Sequence, residues 1–184
     1  MLCHNLLANI VLALVVGMAA CESPRQEAVV DPELESIEAD YIIFGNTHYL
    51  TRQGIREALV VADTAYFFND SAVVLLRGNV TLTAYHEDLG TEKAVVTSDR
   101  GRLNTNDNSM VAHGNAVLVI AEGGRRIDSS ELTYHPDQDR IWSDSATIMY
   151  EGQTIVEGSG FDADLSFTQV LVRNARTRGG SVRF

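Results

Sequence analysis

The sequence predicts an all-β fold made of stacked antiparallel strand–turn–strand repeats. Three observations predict it: short runs rich in β-branched residues, polar clusters between those runs, and recurrence of the same unit along the chain. The chain has 184 residues. About 160 remain once the apolar N-terminus is set aside, which is enough for one domain with a real core.

The strands and turns are read from local composition. Runs rich in Val, Thr, Ile and Tyr predict strands, and they include VTLTAY (80–85), AVLVI (116–120) and ATIMY (146–150). Polar clusters typical of turns separate such runs, and they include FNDS (68–71), NTNDNS (104–109), AEGG (121–124) and HPDQD (135–139). We find no convincing amphipathic helix after residue 40, so the body is predicted to be β throughout.

The strand–turn–strand unit occurs four times. Successive shifts of 36, 31 and 29 residues superimpose the copies and bring together Val60, Val96, Ile127 and Val156. The first shift also aligns Asp63 with Asp99, and it places Gly78-Asn79-Val80 on Gly114-Asn115-Ala116, which we interpret as turns. One hairpin cannot bury its apolar face alone, whereas stacked copies share one continuous apolar face.

Alternation within the repeats predicts which side chains face inward. In the second copy one parity is apolar, and it comprises Met110, Ala112, Ala116 and Leu118. Four equivalent inward positions hold small residues, namely Ala62, Ser98, Ser129 and Gly158. Small residues there either leave room for a groove or let two sheets approach closely, and both interpretations remain open.

Composition and cysteine count exclude several classes of function. The net charge is −11 and the pI is near 4.7, so the chain has no general attraction to nucleic acid. The two cysteines, Cys3 and Cys21, both lie near the N-terminus, which excludes an intradomain disulfide and a cysteine zinc site in the body. The histidines are scattered without metal-ligand spacing, and no catalytic set stands out. We therefore predict a protein that is not an enzyme and carries no cofactor or metal.

The N-terminus predicts export and attachment to a membrane. The apolar run from Leu6 to Cys21 is shorter than the roughly 20 residues of a spanning helix. It suits a signal peptide over residues 1–20, and Met18-Ala19-Ala20-Cys21 resembles a bacterial lipobox. Lipidation of Cys21 would anchor the chain. An uncleaved apolar anchor is the alternative. In either case residues 21–40, which carry seven acids and one Arg, are predicted to form a solvated tether.

The two ends of the predicted stack differ in charge. After Asp164 the chain contains no acid, but it has four arginines. A positive final strand either opposes aggregation or forms a rim for a partner. We assign a partner edge to Val170, Val172, Arg173, Arg176 and Arg178.

Several stretches together resemble the LptC family, the membrane-tethered periplasmic component of the lipopolysaccharide export bridge. They are YLTRQGIREALVVADTAYFF (49–68), GNVTL (78–82), SDRGRLNTNDNSMVAHGNAVLV (98–119), GRRIDSSELTYHPDQDRIWSDSATI (124–148) and VEGSGFDADLSF (156–167). The resemblance covers about Asp40 to Ala175. It implies an open β-jellyroll over residues 41–184 with an apolar interior that takes the acyl chains of lipopolysaccharide.

The resemblance also implies the partners. The N-terminal edge would dock on the inner-membrane ABC transporter, and the C-terminal edge on a like-folded periplasmic bridge protein. Combined with the inward parity, it assigns an acyl-chain groove to Val96, Leu103, Met110, Ala116, Leu118, Ile127, Leu132, Tyr134, Ile141, Met149 and Phe161. Two alternatives remain: a structural β-solenoid scaffold of the cell envelope with a filled interior, and a bridge-type subunit like LptA. The expected location is the periplasm, tethered to the inner membrane in preference to the outer.

Overall fold

A computed structural model describes residues 37–86 and 88–178, and those from Ala39 onward belong to one compact unit. The predicted signal peptide, Cys21 and most of the tether over residues 21–40 lie outside the described residues. Within the described part of the chain, no helix is long and apolar enough to cross a bilayer.

Twelve strands make up nearly all of the described chain, as the sequence predicted. They are β1 Tyr41–Arg52, β2 Ile55–Phe67, β3 Val73–Tyr85, β4 Glu92–Asn104, β5 Met110–Ile120, β6 Arg126–His135, β7 Arg140–Ser143, β8 Thr147–Glu151, β9 Thr154–Gly158, β10 Gly160–Asp164, β11 Val170–Arg173 and β12 Arg176–Arg178. Two short 3₁₀ turns, Glu122–Gly124 and Pro136–Gln138, fall in predicted turn clusters. The FNDS and NTNDNS clusters connect β2 to β3 and β4 to β5.

All strands belong to one antiparallel sheet in which sequence neighbours pair. From β1 to β6 each strand pairs with the next. Beyond β6 the sheet divides into two branches. In one branch β6 pairs with β7, β7 with β10, and β10 with β11. In the other β6 pairs with β8, β8 with β9, and β9 with β12. The four predicted copies are therefore four successive hairpins, and β1 precedes them. Within the described residues β1 and the β11–β12 pair are the edges of the sheet.

Each long strand bends near its middle. Successive ladders shift register at the same level, between Val61 and Thr64, Arg77 and Val80, Thr97 and Arg100, and His113 and Ala116. The later strands are interrupted at the corresponding level, which splits each of them into two short strands. The sheet thereby folds into two facing halves, as in a jellyroll.

The Gly-Asn pairs produce this bend, so their interpretation as connecting turns was wrong. Gly78-Asn79 lies inside β3 and Gly114-Asn115 inside β5, and all four residues have positive φ. The Nδ2 of Asn79 donates to Asp63 Oδ2 at 2.8 Å, and Asn115 Nδ2 donates to Asp99 Oδ2 at the same distance. The last copy repeats the arrangement, since Asn174, also at positive φ, donates to Ser159 Oγ at 2.8 Å.

The small inward residues lie beside this bend and allow close approach. A Cβ on Gly158 would lie 2.4 Å from Val172 Cγ1 and 2.6 Å from the Arg173 carbonyl oxygen. Ser98 Oγ donates to the Arg100 carbonyl at 2.9 Å, so this hydroxyl is satisfied locally. The structure therefore supports close packing over open space as the reason for small residues at these positions.

The bend brings opposite ends of the strands together. The Nδ2 of Asn108, in the β4–β5 turn, donates to the Thr51 carbonyl at 3.4 Å. Arg125, in the β5–β6 connection, donates from Nη2 to the Phe167 carbonyl at 2.9 Å. We call the line where the two sets of strand ends meet the seam.

Candidate functional site

The interior between the two facing halves gathers the predicted groove residues. Buried apolar side chains from Leu50 to Phe167 form one contiguous cluster, here named the interior cluster. Every residue predicted for the groove belongs to it except Met149, which is half-buried and packs against it. Alternation along the strands is the reason, because it sends Met110 and Leu118 inward while Val111 and His113 lie on the outer face.

The interior is filled in this structure. An apolar cavity on its seam side has a volume of about 10 Å³, which is the lower limit for one water molecule. Its lining includes Leu82, Val96, Leu118, Ile141 and Phe167. An acyl chain would therefore enter only if the two halves of the sheet move apart.

A larger pocket of about 450 Å³ lies on the seam directly above this cavity, and we call it the slit. Its two walls come from opposite ends of the strands. One wall comprises Arg52, Glu57, Tyr85, His86 and Lys93, and the other comprises Tyr134, Pro136, Asp139, Leu165 and Ser166. The slit and the cavity share Lys93, Tyr134 and Leu165, so they adjoin each other. The lining of the slit is mostly polar, and the lining of the cavity beneath it is mostly apolar.

An ion pair lines one wall of the slit. Arg52 Nη2 lies 2.5 Å from Glu57 Oε1, and Arg52 Nη1 lies 3.9 Å from Asp137 Oδ1 across the seam. Partial burial would lower the pKa of Arg52, but the hydrogen bond and charge of Glu57, with help from Asp137, raise it above its ordinary value. Glu57 is buried, and its second oxygen, Oε2, has no hydrogen-bond partner in the structure.

The loop between β10 and β11 covers the lower part of the slit. Leu165 and Phe167 are buried against the interior cluster, and Phe167 adopts a positive φ of 53°. Asp164 fixes the loop, because its carboxylate accepts hydrogen bonds from the Gln169 N–H at 2.9 Å and from the Thr168 hydroxyl. Burial raises the pKa of Asp164, but these hydrogen bonds lower it below its ordinary value overall.

The predicted C-terminal partner edge is an edge strand, but its arginines are partly neutralised. Val170 and Val172 turn inward and pack against the interior cluster, whereas Leu171 is 65% exposed. Arg173 forms an ion pair with Asp144 at 2.6 Å and also donates to the Ser143 carbonyl. Arg178 lies 3.4 Å from Glu157, and Arg176 is exposed. The positive rim is therefore weaker than the sequence suggested.

The opposite edge, β1, is the more apolar one. Large side chains of its first half are exposed on both faces of the strand, including Tyr41, Ile42, Ile43 and Phe44. Phe44 is 74% exposed. Exposed apolar residues on an edge strand, whose outer backbone groups have no neighbouring strand, mark a surface that can pair with another chain.

The slit was not predicted from the sequence. Its walls come from residues far apart in the chain, such as Glu57 and Ser166, and no local pattern joins them. A weak signal existed for the loop, because Leu165 and Phe167 continue the alternation of Phe161 and Ala163 beyond the end of β10. Within residues 37–86 and 88–178, no three His, Cys, Asp or Glu side chains come together as metal ligands.

Comparisons with known proteins agree with this geometry. The LptC family, described as "Lipopolysaccharide-assembly, LptC-related", matches residues 7–178. Among solved structures, the chain is similar to LptH from Pseudomonas aeruginosa, described as the LptA homologous periplasmic component of the conserved lipopolysaccharide transport device. The sequences are 15% identical, the TM-score is 0.56, and the alignment covers 67% of this chain and 95% of that one. A search of the curated proteins returned no match.

The bent sheet around one apolar interior defines an LptA-like β-jellyroll, a fold seen in periplasmic lipopolysaccharide transport. The chain belongs to the LptC family of lipopolysaccharide-assembly proteins. Membership of this family places the chain among proteins of lipopolysaccharide assembly and not among enzymes.

Proposed function

We propose that this protein receives lipopolysaccharide from the inner-membrane ABC transporter and passes it to a like-folded periplasmic bridge protein. The interior cluster supports this role most directly, since it is a contiguous apolar interior and its cavity shares lining residues with the slit. Burial of an acyl chain would gain about 25 cal/mol for each Å² of apolar surface removed from water. Because the interior is filled in this structure, binding would require the seam to open first.

The direction of transfer is assigned from the two edges. We assign β1 to the transporter side because its first half exposes apolar side chains and follows the predicted membrane tether. We assign β11 and β12 to the bridge protein, because the free outer edge of a final strand can extend one sheet into a second chain. Leu171 would contribute apolar contact there, and Arg176 would contribute charge.

The experiment is photo-crosslinking in cells. Photoreactive residues placed at Met110, Leu118 and Ile141 should form covalent adducts with lipopolysaccharide, and one at Val119, exposed on the outer face of β5, should not. Adducts confined to the inward positions support the relay role. If the inward positions give no adducts while the protein remains folded, the relay function is wrong.

A structural scaffold is the second candidate function, and the filled interior favours it. The two candidates respond differently to a charge in the interior. A relay protein should lose adducts in an Ile141→Asp variant, whereas a scaffold would give no adducts even in the unmodified chain. Thermal unfolding measured beside crosslinking distinguishes blocked binding from loss of the fold.

We also propose that Cys21 is lipidated after cleavage of residues 1–20 and that it tethers the body to the inner membrane. The support is the short apolar run and the small residues before Cys21. Intact mass of the membrane-extracted protein tests it. A mass that corresponds to residues 1–184 without acyl groups would indicate an uncleaved anchor instead. Cys21→Ala should release the body while leaving it folded.

A further inference from the structure

The slit holds a feature that the filled interior does not explain: a buried carboxylate with one unsatisfied oxygen. Glu57 Oε1 is paired with Arg52, whereas Glu57 Oε2 has no hydrogen-bond partner in the structure. A buried acceptor left unpaired costs free energy, of the order of 1–3 kcal/mol. Such a group points to a ligand that donates a hydrogen bond, because a satisfied structural ion pair would not leave it bare.

The slit also has the size and the lining for a sugar-like group. Its volume of about 450 Å³ falls within the range of small-ligand pockets. Glu57 offers an acceptor for a hydroxyl, and the side chain of Arg52 is 44% exposed, which leaves its guanidinium accessible to an anion. A donor and an acceptor side by side on one wall suit a ligand that carries both hydroxyl and phosphate groups.

The position of the slit restricts the ligand further. Because Leu165 and Tyr134 line both the slit and the apolar cavity, a molecule that occupies both must be polar at one end and apolar at the other. A charged headgroup cannot follow acyl chains into the interior without a large desolvation cost. It would stop at the slit.

We propose that the slit binds the phosphorylated sugar headgroup of a glycolipid while the acyl chains enter the interior cluster beneath it. Glu57 Oε2 accepts a hydrogen bond from a sugar hydroxyl, and Arg52 turns toward a phosphate. This site rests on the proposed function, since it takes the same lipid. Beyond the proposed function, this proposal names the slit as the place where the headgroup binds, and Glu57 and Arg52 as the side chains that recognise it.

The test uses the full chain in cells, with photoreactive residues at Ser166, on the lip of the slit, and at Leu118, in the interior. Both positions should form adducts with lipopolysaccharide. Glu57→Gln should reduce the yield at Ser166 by about tenfold, because a hydrogen bond to a charged group is lost. The control is Glu131→Gln, an acid on the outer face paired with His113, which should leave both yields unchanged.

The outcomes separate this proposal from the proposed function. Adducts at Leu118 with a Ser166 yield unaffected by Glu57→Gln would overturn the headgroup site and leave the relay function standing. No adducts at either position in the unmodified chain would overturn both. If Glu57→Gln fails to fold, Arg52→Gln serves as the second variant. It removes both the phosphate contact and the ion pair with Glu57 Oε1, so the Ser166 yield should fall while the Leu118 yield stays unchanged.

A second arm identifies the source of the phosphate. Membranes containing the full chain are incubated with lipopolysaccharide and an excess of either inorganic phosphate or glucosamine 1-phosphate. Glucosamine 1-phosphate should lower the Ser166 yield and inorganic phosphate should not. Equal loss with inorganic phosphate would overturn the sugar assignment, because it would show an anion site with no requirement for hydroxyl groups.

Discussion

Asp63 and Gly78 approach each other across β2 and β3 so closely that only glycine fits at position 78. A Cβ placed there would lie 2.5 Å from Asp63 Oδ2, and φ at Gly78 is +71°. The relationship recurs one repeat later, where a Cβ on Gly114 would lie 2.6 Å from Asp99 Oδ2. Successive repeats therefore bend in the same way, by placing a carboxylate against a glycine in the neighbouring strand.

Gly78→Ala should lower the free energy of unfolding by about 2–3 kcal/mol. A positive φ costs a non-glycine residue about 1–2 kcal/mol, and displacing Asp63 from Asn79 costs about 1 more. Gly90→Ala is the matched control, because φ there is +64° but nothing lies within 4 Å of the added Cβ. Urea unfolding of both variants measures the difference. Equal losses would show that the contact with Asp63 contributes nothing.

Local sequence patterns predicted the hairpins of the fold but not their bend. The repeat predicted the four hairpins because β2 to β6 are long enough to show their alternation, and the polar clusters fall between strands. The Gly-Asn pairs were misread because the same residues that tolerate positive φ in turns also tolerate it at a bulge inside a strand. Only the pairing of Gly78 with Asp63 across strands decides between the two.

The candidate site likewise has one part that the sequence predicted and one part that it did not. The interior residues follow from period-2 alternation, so Leu118 and Ile141 could be assigned from sequence. The slit depends on which strand ends meet after the sheet bends, and Glu57 and Ser166 share no local pattern. Whether the interior is filled also depends on how the two halves pack, and small residues such as Ala62 fit either arrangement.

Arg125→Ala should loosen the loop between β10 and β11. Arg125 donates a hydrogen bond to the Phe167 carbonyl from across the seam, so its removal deprives this loop of that contact. Amide hydrogen exchange over residues 165–169 should accelerate by about fivefold to tenfold, which corresponds to a hydrogen bond of about 1 kcal/mol.

The neighbouring arginine provides the control for this experiment. Arg126 forms its ion pair with Asp128 on the exposed face of β6, and an exposed pair contributes little. Arg126→Ala should leave exchange in the loop unchanged. Acceleration in both variants would indicate a general loss of stability and would contradict a specific role for Arg125.

The same loop should loosen at low pH. Because the pKa of Asp164 is lowered in the folded protein, its hydrogen bonds stabilise the loop fully above the ordinary value of 3.8, and this stabilisation is lost as the pH falls through the folded pKa below 3.8. Exchange over residues 165–169, corrected for the intrinsic rate, should be flat from pH 7 to 5 and rise below about pH 4. Asp164→Asn should remove that rise. A rise that persists in the variant would assign the effect to another group.

The final prediction concerns the C-terminal edge. Leu171 is exposed on β11 and faces away from the interior cluster, so Leu171→Asp should weaken binding of the like-folded bridge protein without unfolding this chain. Truncation of residues 169–184 would be a less specific test, since Val170 and Val172 help cover the interior and their loss would also destabilise the fold.

Leu89→Asp is the matched control for Leu171→Asp, because Leu89 is 74% exposed in the β3–β4 turn, away from both edges. Binding of the bridge protein, measured by surface plasmon resonance, should weaken by about tenfold to a hundredfold for Leu171→Asp, since a buried Leu contributes about 1.5–3 kcal/mol, and should not change for Leu89→Asp. Raising salt should slow association only slightly, because Arg173 and Arg178 already pair with Asp144 and Glu157 within the chain. If both variants bind as tightly as the unmodified chain, the bridge protein does not dock along β11, and the β1 edge becomes the surface to test.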